Sequence, residues 1–596
     1  MTLSTSKRRR TRALLCSLLA LALLAGAAPA STLQRRTPPP ARPGGTAATT
    51  PAPAAPAQGA RPRLVLLIVV DQFRYDFLER FGDLFAAGGL RRLLRDGASW
   101  TEANYDHMPT ETAPGHATLM TGAWPSETGI ISNDWYDRES GRRVNNVEDG
   151  TARLIGGGER ERGASPRSLM VSTLGDQLKL ATAGRAKVVG VSIKDRGAIL
   201  PAGRMADAAY WYSSQTGQFV SSTYYFTEGK LPDWVQSFSA ARPSDKFFGQ
   251  TWDRLVARAE YDRRAGPDDV PWEKGNGQVP NTLPQQITGG LKEPGPAFYD
   301  ALNYSPFSND LLVAFAEQAV RAERIGEDAD TDLLTVSFSA NDIVGHRYGP
   351  YSHESMDMTL RVDRQIERLL SFIDSRVGLR NTLVAFTADH GVAPFVDHAM
   401  RSRLPGGYVP IAALTEAARK ALRARFGKSN DRDTTADYLS AYGNSMFYFN
   451  RAALERDNVR AEEAERVVGE AVMTVPGVSR YFTRTQLVSG SVLPHDAVAR
   501  RVLHGFHPRR SGDVVVVQEP FKYLTEYSYI AMHGTPYGYD THVPLIIAGA
   551  GLTPGRYANA ATPADIAPTL ARLLRVQQPS NAMGRVLLEA MKSSGQ

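Results

Sequence analysis

The sequence predicts an α/β fold, a mostly parallel central sheet flanked by helices and carrying capping insertions, and three observations lead there. Short, unbroken apolar runs recur along the chain. Helix-period patterns lie between them. Most of the chemically suggestive residues stand directly after a run. A strand buried on both faces reads as a continuous apolar run, as expected for a parallel sheet covered by helices.

Taken in order, the chain begins with a targeting pattern. Lys7 to Arg12 are basic, Ala13 to Leu24 are apolar, and Ala28-Pro29-Ala30 offers a small-residue cleavage site, so residues 1–30 read as a signal peptide. The apolar run is short for a membrane span, and membrane contact is expected only through this segment if it stays uncleaved. Cys16 is the only cysteine and lies inside it, so the exported protein, periplasmic or secreted, has no thiol and no disulfide framework. Residues 31–62 are rich in Ala, Pro, Thr and Gly and cannot bury enough apolar surface to offset ordering, which reads as a flexible linker. Residues 1–61 carry nine cations and no acid, whereas the whole chain is only +7, so the body is at −2. No nucleic-acid-binding surface is implied.

The catalytic body is expected over residues 63–596. Strand-like runs fall at 64–70, 188–193, 333–338, 383–386, 514–517 and 543–547. Ser308 can cap a helix over about 310–325, Leu360, Ile366, Leu369, Leu370 and Ile373 repeat at helical spacing, and a last helix fits 565–574. The stretches near 205–305 and 400–510 break the alternation and read as the capping insertions.

The residues after the runs are Asp71, Lys194 and Arg196, Asp342 and His346, and Asp389 with His390, while His542 enters from the loop before the last run. Ligands in open α/β sheets bind outside the carboxyl ends of the strands. A lone Asp there is ordinarily a helix cap and a lone His ordinarily a structural residue; the joint placement carries the argument. Asp71, Asp342, His346, Asp389, His390 and His542 form a sulfur-free carboxylate–imidazole set sufficient for two divalent metal ions, with zinc the best match and manganese or another divalent ion acceptable. Asp342 and His346, four apart, share one helical face. In Met108-Pro-Thr-Glu-Thr-Ala-Pro-Gly-His116 a threonine precedes a sharp turn, with a helix expected from about His116. A hydroxyl there becomes a nucleophile once a cation lowers its pKa, and Thr110 and Thr112 both qualify chemically. His116 reads as a structural hydrogen-bonding residue. An extended chain after residue 193 would aim Lys194 and Arg196 to the same side.

These motifs resemble the alkaline phosphatase superfamily, in particular its single-chain bacterial phosphatases related to the nucleotide pyrophosphatase/phosphodiesterase family. The likeness rests on Val-Val-Asp71-Gln, Thr112-Ala-Pro-Gly-His, Ser132-Asn-Asp-Trp-Tyr, Ile193-Lys-Asp-Arg-Gly, Asn341-Asp-Ile-Val-Gly-His346, Thr387-Ala-Asp-His-Gly and Tyr539-Asp-Thr-His-Val-Pro, and runs from about Val65 to Leu570. The resemblance implies one zinc on Asp342, His346 and His542 and another on Asp71, Asp389 and His390. It implies Thr112 as nucleophile and metal bridge, and Asn133, Lys194 and Arg196 as holders of phosphoryl oxygens. His533, in His-Gly-Thr-Pro, matches the motif but is given no role. The implied activity is hydrolysis of small phosphate monoesters through a phosphothreonine. The alternatives are a phosphodiesterase of the same superfamily and a non-catalytic surface-binding protein; a sulfatase lacks its nucleophile motif here.

Overall fold

The computed structural model describes residues 61–273, 281–427, 437–493, 495–526 and 530–592. The expected signal peptide and nearly all of the expected linker lie outside these residues. Among the described residues no helix is long and apolar enough to cross a membrane.

The central sheet has ten strands. In chain order they are β1 (Leu64–Val70), β2 (Gly97–Ala103), β3 (Leu154–Ile155), β4 (Val188–Ser192), β5 (Ala208–Ser213), β6 (Gln218–Ser222), β7 (Asp332–Phe338) and β8 (Thr382–Thr387). After the second insertion, whose strands are β9 (Leu439–Gly443), β10 (Met446–Phe449), β11 (Val478–Thr483) and β12 (Val514–Gln518), come β13 (Leu545–Ala548) and β14 (Gly555–Ala561). The spatial order is β14-β2-β13-β8-β1-β7-β4-β5-β6-β3. Strands β8, β1, β7, β4 and β5 are parallel neighbours. β13 and β6 run against them, so the sheet is mixed with a parallel centre. Every residue of β1, β7 and β8 is buried, which is why those segments read as unbroken apolar runs.

Register sets the level of the site. Val70 pairs with Phe338 and Val69 with Thr387, while Ser337 pairs with Ser192. Asp71, Asp342, Asp389 and Lys194 therefore leave the sheet at one edge. Because β13 is antiparallel, its preceding loop arrives at that same edge. This reversal places residues 530–544 among the carboxyl ends of the parallel strands.

Two expectations about the insertions change. Residues 514–517 are not in the central sheet but in a separate four-stranded sheet, β9-β10-β12-β11. Val514 and Val516 pack with Leu414, Leu422 and Val468, whereas Val515 and Val517 pack with Phe482, Ala113 and Ala117. A strand covered on both faces has the same sequence pattern in either sheet. The other insertion does not break the sheet at its start. Residues 208–222 extend it as β5 and β6, and the buried Tyr210 and Phe219 pack against Phe315.

The helices also shift. One runs Phe307–Glu323 directly after Pro306, and Ser308 Oγ bonds back to Ser305 O at 3.2 Å rather than capping the helix. The helix His353–Arg376 is capped by Ser352, whose hydroxyl accepts from Ser355 N. The last, Ile566–Leu574, follows a short turn over Pro563–Asp565.

Candidate active site

The first group of side chains gathers where β1 and β8 end. Asp71 follows Val70, and an irregular segment after Thr387 turns Asp389 and His390 inward, all three fully buried. One oxygen or nitrogen from each of Asp71, Asp389 and His390 lies within 4.8 Å of the others. His390 Nε2 is 3.5 Å from Asp71 Oδ1 and 3.6 Å from Asp389 Oδ2. Main-chain and side-chain donors on Gln72 fix the carboxylates, N to Asp389 Oδ1 at 3.1 Å and Nε2 to Asp342 Oδ1 at 2.6 Å.

The second group is Asp342, His346 and His533. Helix α1, as we label Ala340–Tyr348, puts Asp342 and His346 one turn apart, with His346 Nε2 3.2 Å from Asp342 Oδ1. His533 Nε2 lies 3.3 Å from His346 Nε2 and 3.7 Å from Asp342 Oδ1, and its ring stacks on His390 at a centroid distance of 3.7 Å. Asp342, His390 and His533 also meet the 4.8 Å condition, so His390 joins the two groups.

Three histidines share one device. Nδ1 of His346, His390 and His533 sits 2.5, 2.9 and 2.8 Å from the carbonyls of Ala531, Gly391 and Thr110. A carbonyl only accepts, so each Nδ1 carries the proton and each Nε2 keeps its lone pair for the site. Burial, reinforced by His390 and His346, pushes the His533 imidazolium far below the usual histidine range, which leaves it neutral. Asp71 is pushed well up by burial and by the carboxylates of Asp342 and Asp389. At Asp342, burial is outweighed by His346 and Lys194, which hold the carboxylate ionised. Among the described residues Asp71 Oδ1 is buried with no hydrogen bond, and the buried Asp389 Oδ2 has His116 Nδ1 at 3.0 Å. Converging buried carboxylates, one of them with a donor-free oxygen, and imidazole nitrogens aimed at them are the donor set that divalent ions take; the residues fit two.

Thr112 opens the helix Thr112–Thr121, which begins four residues before the expected start at His116. Its Oγ1 is 3.5 Å from His390 Nε2. A Cβ on Gly115 would overlap the Asp389 carbonyl, so the glycine in Thr-Ala-Pro-Gly lets the helix rest on that backbone. His116 is structural, as expected, joining Thr112 O at 2.9 Å and Ser337 Oγ at 2.8 Å. Thr110 is turned away and donates to Thr535 O at 2.9 Å.

A family model described as type I phosphodiesterase/nucleotide pyrophosphatase matches residues 65–540. The chain belongs to that family. Alkaline phosphatase PhoV of Synechococcus elongatus is 34% identical over 538 residues, covering 90% of this chain and 94% of PhoV. Alkaline phosphatase PafA of Elizabethkingia meningoseptica is 35% identical over 535 residues, 89% of this chain and 95% of PafA. The crystal structure of wild-type PafA superposes with a TM-score of 0.80 at 33% identity, covering 90% of this chain and all of that one.

In this family member, one position read from the sequence is not brought to the cluster. His542 Nε2 bonds to Thr101 O at 2.8 Å, and its ring stacks on Tyr75 at 4.3 Å. His533 stands in the place expected of it. Both histidines lie in the loop that enters β13, and spacing alone does not say which turns inward; the signal was the His-Gly-Thr-Pro motif. The expected extended run after β4 is also absent. Lys194 is the N-cap of a helix over Asp195–Ala202, so Arg196 sits in its first turn. Lys194 Nζ bridges Asp71 Oδ2 at 2.7 Å and Asp342 Oδ2 at 2.5 Å; burial opposes its charge, but Asp342 and Asp71 outweigh that and raise its pKa. Among the described residues the Arg196 guanidinium makes no hydrogen bond, and its Nε is buried. Asn133 Oδ1 accepts from Ala113 N at 2.9 Å, which leaves its amide hydrogens for a ligand. Sequence reasoning missed Glu111, which is half-buried and fixes Asn133 through the main-chain N at 2.8 Å.

Proposed function

We propose that the chain is a metal-dependent phosphate monoester hydrolase, an alkaline phosphatase acting through a phosphothreonine at Thr112. The observation that carries this reading is the Thr112 hydroxyl beside His390, the residue common to both ligand groups. The two alkaline phosphatases similar over nearly the whole chain support it. Two divalent ions, zinc by donor chemistry, would be held by Asp71, Asp389 and His390 and by Asp342, His346 and His533, and when bound would supply Lewis acidity to a hydroxyl and to phosphoryl oxygens.

The protein's own groups do the positioning. Thr112 Oγ1, its proton released to solvent, attacks phosphorus in line, its bond to phosphorus forms as the ester P–O bond breaks, and the departing alkoxide is protonated from solvent. Water then cleaves the phosphothreonine and returns the hydroxyl. Lys194, Arg196 and the Asn133 amide hold the phosphoryl oxygens, so catalysis is largely geometry and electrostatics. A monoester dianion offers three terminal oxygens to these donors, and a diester only two. Thr112 is at the mouth of a helix whose packing on Asp389 fixes its direction.

The substrates are small phosphate monoesters, and the N-terminal segment directs export to the periplasm or medium. Turnover of p-nitrophenyl phosphate that disappears on chelation and returns with zinc supports the reading. Preference for bis-p-nitrophenyl phosphate would replace it with the diesterase alternative, and inactivity on both with metal bound would replace it with the surface-binding one.

A further inference from the structure

A cleft of about 330 Å³ opens beside the site, between the loop carrying His533 and the four-stranded sheet of the second insertion. One wall is Glu111 and His533; the other carries Tyr442, Gln518 and Lys522. The size lies at the lower end of the range for small-molecule sites.

Its position follows from in-line chemistry, and this inference rests on the monoesterase reading. Thr112 stands 3.5 Å from His390, and its helix rests through Gly115 on the Asp389 main chain, so it belongs to the Asp71, Asp389 and His390 side. In an in-line displacement the departing oxygen lies opposite the nucleophile. That is the side of Asp342, His346 and His533, and His533 is where the cleft begins.

The wall has a definite chemistry. Among the described residues Tyr442 Oη and Gln518 Oε1 are buried and make no hydrogen bond, and Gln518 as a whole is only 6% exposed. Orphaned buried polar atoms cost stability unless something satisfies them; the two residues that carry them line a space large enough for a ligand, one able to donate and the other to accept. Lys522 adds a cation. Among the described residues its ammonium makes no ion pair, and the one hydrogen bond of that group is a long 3.4 Å contact to Gly406 O. This wall of the cleft thus carries a donor, an acceptor and a cation with no ion-pair partner among the described residues.

We propose that this cleft is the leaving-group subsite and selects phosphate monoesters of polyhydroxylated alcohols that carry a second negative charge. Hydroxyls of the alcohol satisfy Tyr442 and Gln518, and the distal anionic group meets Lys522.

The test compares kcat/KM of the zinc-loaded enzyme for three primary alkyl monoesters of similar intrinsic reactivity: n-hexyl phosphate, glucose 6-phosphate and fructose 1,6-bisphosphate. Wild type should favour glucose 6-phosphate over n-hexyl phosphate, and the bisphosphate over both. Tyr442→Phe should lower the glucose-to-hexyl ratio by about fivefold, the scale of one hydrogen bond. Lys522→Met should lower the bisphosphate-to-glucose ratio by about tenfold, the scale of one charged contact, and Lys522→Arg should restore it. No preference among the three in wild type, or a ratio unchanged by Lys522→Met, overturns the proposal while leaving the monoesterase reading intact. Absence of p-nitrophenyl phosphate turnover by wild type overturns both.

Discussion

His346 and His533 present their Nε2 atoms to one another at 3.3 Å, each with Nδ1 committed to a main-chain carbonyl. With both Nδ1 atoms committed to carbonyls, the two Nε2 atoms are left to converge with Asp342 Oδ1, at 3.2 and 3.7 Å from it, so the pair is arranged for a third party between it and Asp342. His533→Ala should therefore remove one equivalent of bound divalent ion and lower p-nitrophenyl phosphate turnover by about a thousandfold, since several kcal/mol of charge stabilisation is at stake. His542→Ala should keep both equivalents and cost only the stacking on Tyr75 and one hydrogen bond, about 1–2 kcal/mol of stability. Metal analysis of the two purified variants decides; loss of metal from His542→Ala and not from His533→Ala would restore the sequence-based assignment.

That exchange marks where the sequence is legible. Strands β1, β7 and β8 are buried on both faces, so their apolar runs and the acids just beyond them can be read directly. The Asp342–His346 pair follows from helical spacing alone. What local pattern does not carry is long-range pairing. Residues 514–517 look like a core strand because Val514 and Val515 each find a covered face, but in another sheet. Residues 533 and 542 both reach the right edge because β13 is antiparallel, and which one turns inward depends on partners at Thr101, Tyr75 and Thr110 that are distant in sequence.

Thr112 rather than Thr110 should carry the phosphoryl group. Thr110 spends its hydroxyl on Thr535 O, whereas Thr112 Oγ1 faces His390. Acid quench during turnover of labelled substrate should place the label on the peptide at Thr112. Thr112→Ala should leave the fold intact and no label, while Thr110→Ala should lose about tenfold or less through its hydrogen bond to the His533 loop. Label at Thr110 would refute the assignment.

Lys194 and Arg196 should set monoester preference even though the chain turns into a helix between them. Lys194 reaches the carboxylates from its N-cap position, and Arg196, in the first turn, has a 3.6 Å contact with Asp195 and a buried Nε with no hydrogen bond among the described residues. Charge-assisted contacts in a dry site are worth about 2–4 kcal/mol each, so the double alanine variant should lose about three or more orders of magnitude in kcat/KM for p-nitrophenyl phosphate. Hydrolysis of bis-p-nitrophenyl phosphate should fall far less. Equal losses on the two substrates would show that these cations do not discriminate charge.

Asp106 should make the protein's acid stability depend on one link between the second insertion and the loop that leads to Thr112. Its carboxylate accepts from Arg500 Nε at 2.8 Å and Nη2 at 3.0 Å, with His504 Nδ1 at 3.3 Å. Burial raises its pKa, but the bonds from His504 and Arg500 outweigh that and bring it down to about 2. A folded pKa below the unfolded value of about 3.9 gives a stabilisation that is complete above that value and is lost as pH falls through 2. The shift corresponds to about 2.6 kcal/mol at most, reduced by the 23% exposure of the side chain. Asp106→Asn should therefore cost about 1–2 kcal/mol at pH 7, and the gap between variant and wild type should narrow between pH 4 and 2. The difference between the two proteins is the readout, because protonation of the ligand carboxylates and imidazoles in that range acts on both alike. A gap in denaturation midpoint that stays constant from pH 7 down to pH 2.5 would mean that the Asp106 carboxylate contributes no more than an amide does.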